Sequence, residues 1–252
     1  MRLVVAGAGA SWPGEQPCAG HIVFAGDTAV MLDCGNGALA SAQRFVDPAT
    51  LSAVFITHEH IDHFGDLYCL QAMVRWAPGG PLPPIALYGP PGLLERMGRV
   101  LSEQAAAELA DAFAFTPMRP GDAVEVADIT VTALTAAHMG DSLGLRVTDG
   151  AAVLAYTGDT RPSPEADALV APGAEVVLAE ATLSAAYAGR AAHLSGAEAG
   201  ALATLACAHT LVLTHLWPTA DADDLEADAR SMFAGRVELG RPGLTIEVTP
   251  AR

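Results

Sequence analysis

Residues 57–67 (THEHIDHFGDL) follow the apolar run 53–56 and place His58, His60, Asp62 and His63 within six positions. Imidazole and carboxylate are the ligands that a borderline metal such as zinc accepts. Alternate residues of an extended segment project to one side, so His58 and His60 can serve one ion. The turn beginning at Asp62 and His63 then points those two at a neighbouring site. Three further single residues close apolar runs, where the rim of a pocket is expected: His138 after VTALTAA, Asp159 after VLAYTG and His215 after TLVLT. A fold that suits this chain must bring four strand ends to one edge.

The patterning agrees with that demand. LVVAG, HIVFAGD, TAVMLDCG and LSAVFITH read as strands, the second and third joined by a Gly-Asp hairpin turn. A helix is predicted over 65–76, a strand at IALYG, and a helix of strong formers over 90–109, opened by Pro-Pro-Gly. The second half repeats the scheme, with strands near 123–126, 129–135, 143–148 and 152–157. Helices follow over 163–170, 195–208 and 220–233, with Ser195 and Glu198 forming a capping box. VVLAEA, TLVLTH and 244–248 read as strands. Strands followed by helices, twice over, predict an α/β chain folded as a four-layer αββα sandwich. The 252 residues carry no linker or low-complexity segment, so 1–252 reads as a single domain.

Composition limits the partners. Lys+Arg 13 against Asp+Glu 29 gives a net charge of -16, and lysine is absent. Binding a polyphosphate chain needs clustered cations, so long nucleic acid is a poor partner. Bound metal ions can still attract a small anion. The four cysteines are too sparse for a disulfide scaffold and read as free thiols of a reducing compartment, Cys34 and Cys69 as small buried hydrophobes. Residues 1–10 read as a strand feeding the Gly/Pro loop AGASWPG rather than a signal peptide. No run approaches the roughly 18 to 20 apolar residues of a membrane span, so no membrane partner and a cytoplasmic location are expected. His21 and His209 read as structural. The helix YCLQAMVRW supplies apolar residues that could face a second copy or the core, so a homodimer is one expectation.

In order and spacing, His58-x-His60-x-Asp62-His63, His138, Asp159 and His215 resemble the pattern of the metallo-β-lactamase superfamily of metallo-hydrolases. The resemblance spans most of the chain and implies the αββα fold with a two-metal centre. Carried over, it has His58, His60 and His138 hold one divalent ion, and Asp62, His63 and His215 the other, with Asp159 bridging. Zinc is the expected metal, and the same ligands accept manganese or iron. Two such ions lower the pKa of a shared water, so the implied nucleophile is a metal-bridging hydroxide that Asp62 orients or deprotonates.

LAEAT around Glu180 and HLS around His193 resemble signatures of the ribonuclease Z-like branch. There the histidine, oriented by the glutamate, stands near the scissile phosphate. His193 is then a general acid and Glu180 its orienter; the alternative is a structural role for His193 at the start of the next helix. Ribonuclease Z itself carries a long basic arm between the third metal histidine and the bridging aspartate, whereas only 20 residues separate His138 from Asp159. PCAGHIVFAGD, LDCGNGAL, SLGLRVTD, AYTGDT, HLSGAEAG and LVLTHLWP resemble small bacterial cyclic-nucleotide phosphodiesterases of the atypical class II type. The expected activity is therefore hydrolysis of small phosphodiesters, 3′,5′-cyclic nucleotides first. Ribonuclease Z-like cleavage of RNA, lactone or ester hydrolysis, and a non-catalytic metal-stabilised module are the alternatives.

Overall fold

Runs of Val, Ile, Leu and Phe, broken by Gly-Asp and Asp-Gly pairs, set the strand lengths. In a computed structural model, which describes residues 1–12 and 14–250, these runs form two seven-stranded sheets. Pro13, part of the loop expected after the first strand, lies outside the described residues.

The first sheet takes β1 (Arg2–Gly7), β2 (Gly20–Ala25), β3 (Thr28–Cys34), β4 (Ala53–Phe55), β5 (Ile85–Gly89) and β6 (Phe113–Pro117) in chain order. Pairing is antiparallel from β1 to β3 and parallel from β3 to β6. The second sheet takes β7 (Ala123–Val126), β8 (Ile129–Thr135), β9 (Leu143–Thr148), β10 (Val153–Tyr156), β11 (Val176–Glu180), β12 (Thr210–Thr214) and β13 (Arg236–Leu239). It too is antiparallel first, to β10, and parallel afterwards. Strand β14 (Thr245–Glu247) returns to pair antiparallel with β1.

Helices cover both outer faces. On the first sheet lie α1 (Ala38–Ala42), α2 (Ile61–Phe64), α3 (Leu67–Trp76), α4 (Leu93–Gly98), α5 (Glu103–Ala107) and α6 (Leu109–Ala112). On the second lie α7 (Pro164–Val170), α8 (Gly196–Leu205) and α9 (Ala222–Met232). Strand side chains alternate between faces, and here both faces are buried. Leu32, Phe55, Leu178 and Val212 fill the space between the sheets. Their neighbours Met31 and Val54 pack under the first helical layer, and Val177 and Leu211 under the second. Each such large side chain contributes about 1.5–3 kcal/mol on burial, which is why the central strands read as unbroken apolar runs. Three apolar layers between four structural ones make the expected αββα sandwich.

Several boundaries differ from the sequence reading. The helix expected over 90–109 is three short ones. The chain leaves α4 after Gly98 and restarts at Ser102, whose hydroxyl caps α5 by accepting from the Ala105 N–H at 3.2 Å. The helix over 65–76 begins at Leu67, after the separate turn of α2. It buries Leu67, Leu70 and Val74, while Cys69, read as buried, is exposed. Strands β6 and β13 had not been anticipated. Helix α8 ends at Leu205, so His209 lies on the connection to β12. The capping box at Ser195 and Glu198 is formed. Gly200 lets α8 lie against α9, since a Cβ there would meet the Ala229 carbonyl oxygen at 2.4 Å. Among the described residues no helix is long and apolar enough to cross a membrane.

Candidate metal centre

Ligands of open α/β sheets gather beyond the carboxyl ends of parallel strands, and the chemistry-bearing residues here do the same. Beyond β4 the chain is pinned to β3, because the Thr57 N–H donates to Asp33 Oδ1 at 2.8 Å. His58 and His60 follow, and Asp62 and His63 lie in the single turn of α2. Gly35, just past β3, makes room for that turn: a Cβ there would lie 1.8 Å from the Asp62 carbonyl oxygen. Asp159 follows β10, Glu180 closes β11 and His215 follows β12. His215 and Asp33 hold left-handed backbone angles, φ 52 and φ 55, a strained conformation that clusters at functional sites.

All seven residues expected to bind metal converge. His58, His60, His138 and Asp159 offer ligand atoms within 4.8 Å of one another, as do Asp62, His63 and His215. His60 Nδ1 lies 3.0 Å from His58 Nε2 and 3.2 Å from His138 Nε2. His215 Nε2 lies 3.1 Å from Asp62 Oδ2. Asp159 stands between the two groups, with Oδ2 3.5 Å from His58 Nε2 and 3.3 Å from His215 Nε2.

The far nitrogen of four of these rings is held by a partner, which fixes the ring's orientation and tautomer. His63 Nδ1 donates to Asp33 Oδ2 at 2.8 Å, and His138 Nδ1 to the Ala192 carbonyl at 2.9 Å. Thr57 Oγ1 lies 3.1 Å from His58 Nδ1, and Thr182 Oγ1 2.8 Å from His215 Nδ1. Asp33 is itself fixed by the Tyr156 hydroxyl at 2.6 Å. The sequence reading missed Asp33, Thr57 and Thr182. Asp33 had a visible signal, a carboxylate inside the apolar run AVMLDC, as Asp159 had at the end of its own.

This donor set fits divalent cations. His63 Nε2 and Asp159 Oδ1 are buried 3.3 Å apart in poor alignment, and neither has a hydrogen-bond partner. Unpaired buried polar atoms are costly, and a cation shared between them removes that cost. Burial, reinforced by His63, pushes the His58 imidazole well below its usual pKa, and burial with His138 lowers His60. Those rings present lone pairs, the form a metal requires. Burial raises the Asp62 pKa, but the His215 hydrogen bond and the charge of His63 outweigh it and hold the group well below the carboxylate range. For Asp159, His215, His63 and His58 overcome burial in the same way. Burial also opposes charge on His63, yet Asp159 and Asp33 raise its pKa well above the usual value. A cation at Nε2 would replace that proton as the positive partner of Asp159.

Glu180 and His193 meet beside this cluster. His193 Nδ1 donates to Glu180 at 2.9 Å (Oε1) and 3.1 Å (Oε2). The Thr160 N–H and the Thr182 hydroxyl fix the same carboxylate at 2.8 and 2.6 Å. The His193 and His215 rings stack with centroids 5.4 Å apart, and His193 also falls in a cluster with Asp159 and His215. Burial would lower the His193 pKa, but the hydrogen bond and charge of Glu180 raise it. His21 lies behind the site, fully buried, with its pKa pushed down to about 3 by burial and its Nε2 3.3 Å from Thr214 Oγ1.

Two cavities flank the centre. One of about 210 Å³ is lined by His58, Glu59, Pro90, Pro91, Arg96 and Met139 among others. The other, about 590 Å³, includes Ser11, Thr182, Tyr187, Arg190, His193 and Trp217.

Residues 28–216 match the family described as the Beta-lactamase superfamily domain. An uncharacterised protein of Mycobacterium tuberculosis is 33% identical over 259 residues, which cover 100% of this chain and 93% of that one. Ribonuclease Z of Mycobacterium bovis is 29% identical over 283 residues, with 100% of both chains covered. The crystal structure of the metallo-beta-lactamase fold protein YhfI from Bacillus subtilis superposes with a TM-score of 0.86 at 25% identity, covering 98% of this chain and 99% of that one. The family match runs from β3 to just beyond His215 and so takes in the whole His/Asp cluster. By descent as well as by geometry, this chain belongs to the beta-lactamase superfamily and is a metal-dependent hydrolase.

Proposed function

We propose that the enzyme hydrolyses small phosphodiesters, with 3′,5′-cyclic nucleotides as the first candidates. The observation that carries this reading is the His193–Glu180 couple beside Asp159 and His215. Cleaving a phosphodiester expels an alkoxide, which needs a proton. Glu180 keeps His193 more basic than its burial alone would allow, and its hold on Nδ1 leaves Nε2 as the nitrogen that donates to the leaving oxygen.

His58, His60 and His138 would hold one divalent ion, Asp62, His63 and His215 the other, and Asp159 both. Zinc suits this donor set, with manganese or iron as substitutes. When bound, the ions supply Lewis-acid charge for the phosphoryl oxygens and lower the pKa of water toward neutrality. Asp62 orients the attacking water as a hydrogen-bond acceptor; the Ser11 N–H, 2.7 Å from its Oδ2, keeps the carboxylate turned. Both sheets contribute ligands, so the whole chain works as one domain.

The ribonuclease Z relative favours RNA as a second substrate class. Against it stand the net charge of -16 and the plain antiparallel pairing of β9 with β10 between His138 and Asp159, which leaves no room for a basic arm. The test is chromatographic. Zinc- or manganese-loaded protein is incubated with 3′,5′-cyclic AMP beside Asp159→Ala and His193→Ala. Nucleoside monophosphate from the wild type, absent with Asp159→Ala, is expected. No product from protein that carries two metals per chain overturns the cyclic-nucleotide reading.

A further inference from the structure

We infer that the larger cavity is a nucleobase subsite, so that among small phosphodiesters the enzyme selects those bearing one planar aromatic base. This rests on the phosphodiesterase reading. The cavity begins at His193 and Thr182, and Thr182 Oγ1 bonds both Glu180 and His215. It ends at Tyr187 and Arg190. At about 590 Å³ it falls in the range of small-molecule sites.

Two of its lining side chains, Tyr187 and Trp217, are large aromatics, and the second is tied to the metal centre through the chain. Trp217 comes two residues after His215, and Trp12 packs edge-on against it, with centroids 4.8 Å apart at 78°. Trp12 in turn follows Ser11, whose N–H holds Asp62. Trp217 is 37% and Tyr187 57% exposed, so ring surface lies open to solvent in the cavity that His193 lines. The Arg190 guanidinium lies over the Tyr187 ring, 5.2 Å from its centroid, and no carboxylate is within 4 Å of it among the described residues. A planar cation stacked on a ring, in a cavity that an indole also lines, suits the π-face and the acceptor nitrogens of a base. The smaller cavity offers none of this: prolines line it, and its arginine is paired with Glu59 at 2.9 Å. One base therefore finds a seat, and a second does not.

Steady-state kinetics on two substrates test the subsite: 3′,5′-cyclic AMP, and its analogue with hydrogen in place of adenine. Stacking lost on truncation to alanine is worth roughly 10- to 100-fold per base. Trp217→Ala and Tyr187→Ala are each expected to raise KM for cyclic AMP by about that factor, with kcat within a few-fold. The base-free analogue should change by less than about two-fold, and Trp217→Phe should restore most of the loss. Losses equal on both substrates, or absent from both, overturn the subsite. Titration with adenosine 5′-monophosphate, followed by tryptophan fluorescence, needs no turnover. If the wild type cleaves neither substrate yet binds the monophosphate about 10-fold more tightly than Tyr187→Ala does, the phosphodiesterase reading falls and the base subsite stands. If it neither cleaves nor binds, both fall.

Discussion

The two sides of the metal cluster treat their arginines in opposite ways. Beside α4, Arg96 donates to Glu59 at 2.9 Å, and the cavity there is about 210 Å³. Across the cluster, Arg190 rests on the Tyr187 ring, with no carboxylate within 4 Å among the described residues, beside a cavity of about 590 Å³. Among the described residues Arg75, Arg96, Arg99, Arg230 and Arg236 each have a carboxylate within 4 Å, and Arg190 is among those that do not. What sets Arg190 apart is its place on the Tyr187 ring in the cavity that His193 also lines. Positive charge near a site is weak evidence for anion binding until its pairing is known.

The largest expected effect removes what both sides share. Asp159→Ala should abolish stable metal binding at both groups and lower turnover by at least about 10³-fold, read by metal analysis and by rate. Full metal content in that variant would detach Asp159 from the centre. His193→Ala acts on the Arg190 side alone. It should slow cyclic nucleotide hydrolysis by about 10²–10⁴-fold, but a p-nitrophenyl phosphodiester by less than about 10-fold, because that leaving group departs without a proton. Equal losses on the two substrates would reduce His193 to a structural role. Asp33→Asn sits behind both sides and keeps the shape of the network. Chelator competition should show metal affinity falling by about 10–100-fold, with kcat preserved at saturating metal. The smallest effect belongs to the other side. Arg96→Ala breaks an ion pair whose arginine side chain is 43% exposed, so thermal melting should register about 1 kcal/mol or less and turnover should stay within about two-fold. A large loss of turnover with Arg96→Ala would break the comparison, since both sides would then face substrate.

The legible part of this molecule was the part written locally. Two ligands on an extended segment and two on the next turn form a short-range pattern, and His138, Asp159 and His215 each close an apolar run, so strand ends could be matched without knowing the sheet order. The αββα layering followed from buried runs alternating with helical stretches. What stayed hidden depends on distant contacts. Residues 90–109 carry helix formers throughout, yet the chain breaks after Gly98 and restarts at the Ser102 cap. The edge strands β6 and β13 are short and only partly buried, so their runs lack the continuous apolar signal of the centre. The support that Asp33, Thr57 and Thr182 give the imidazoles spans up to 33 residues of chain, and Tyr156 reaches Asp33 across 123. Tyr187 and Arg190 are neighbours in sequence, but Trp217 reaches the same cavity only across the intervening α8 and β12.

Gly35 carries a further consequence. Just past β3 the backbone at Gly35 lies directly against the backbone of Asp62, and this close approach helps set where the ligand turn sits. Asp62 and His63 therefore take their places through a residue that binds nothing. Any side chain at position 35 would push that turn aside while every ligand stayed in the sequence, so a chain can keep the whole His/Asp pattern and still lose its geometry.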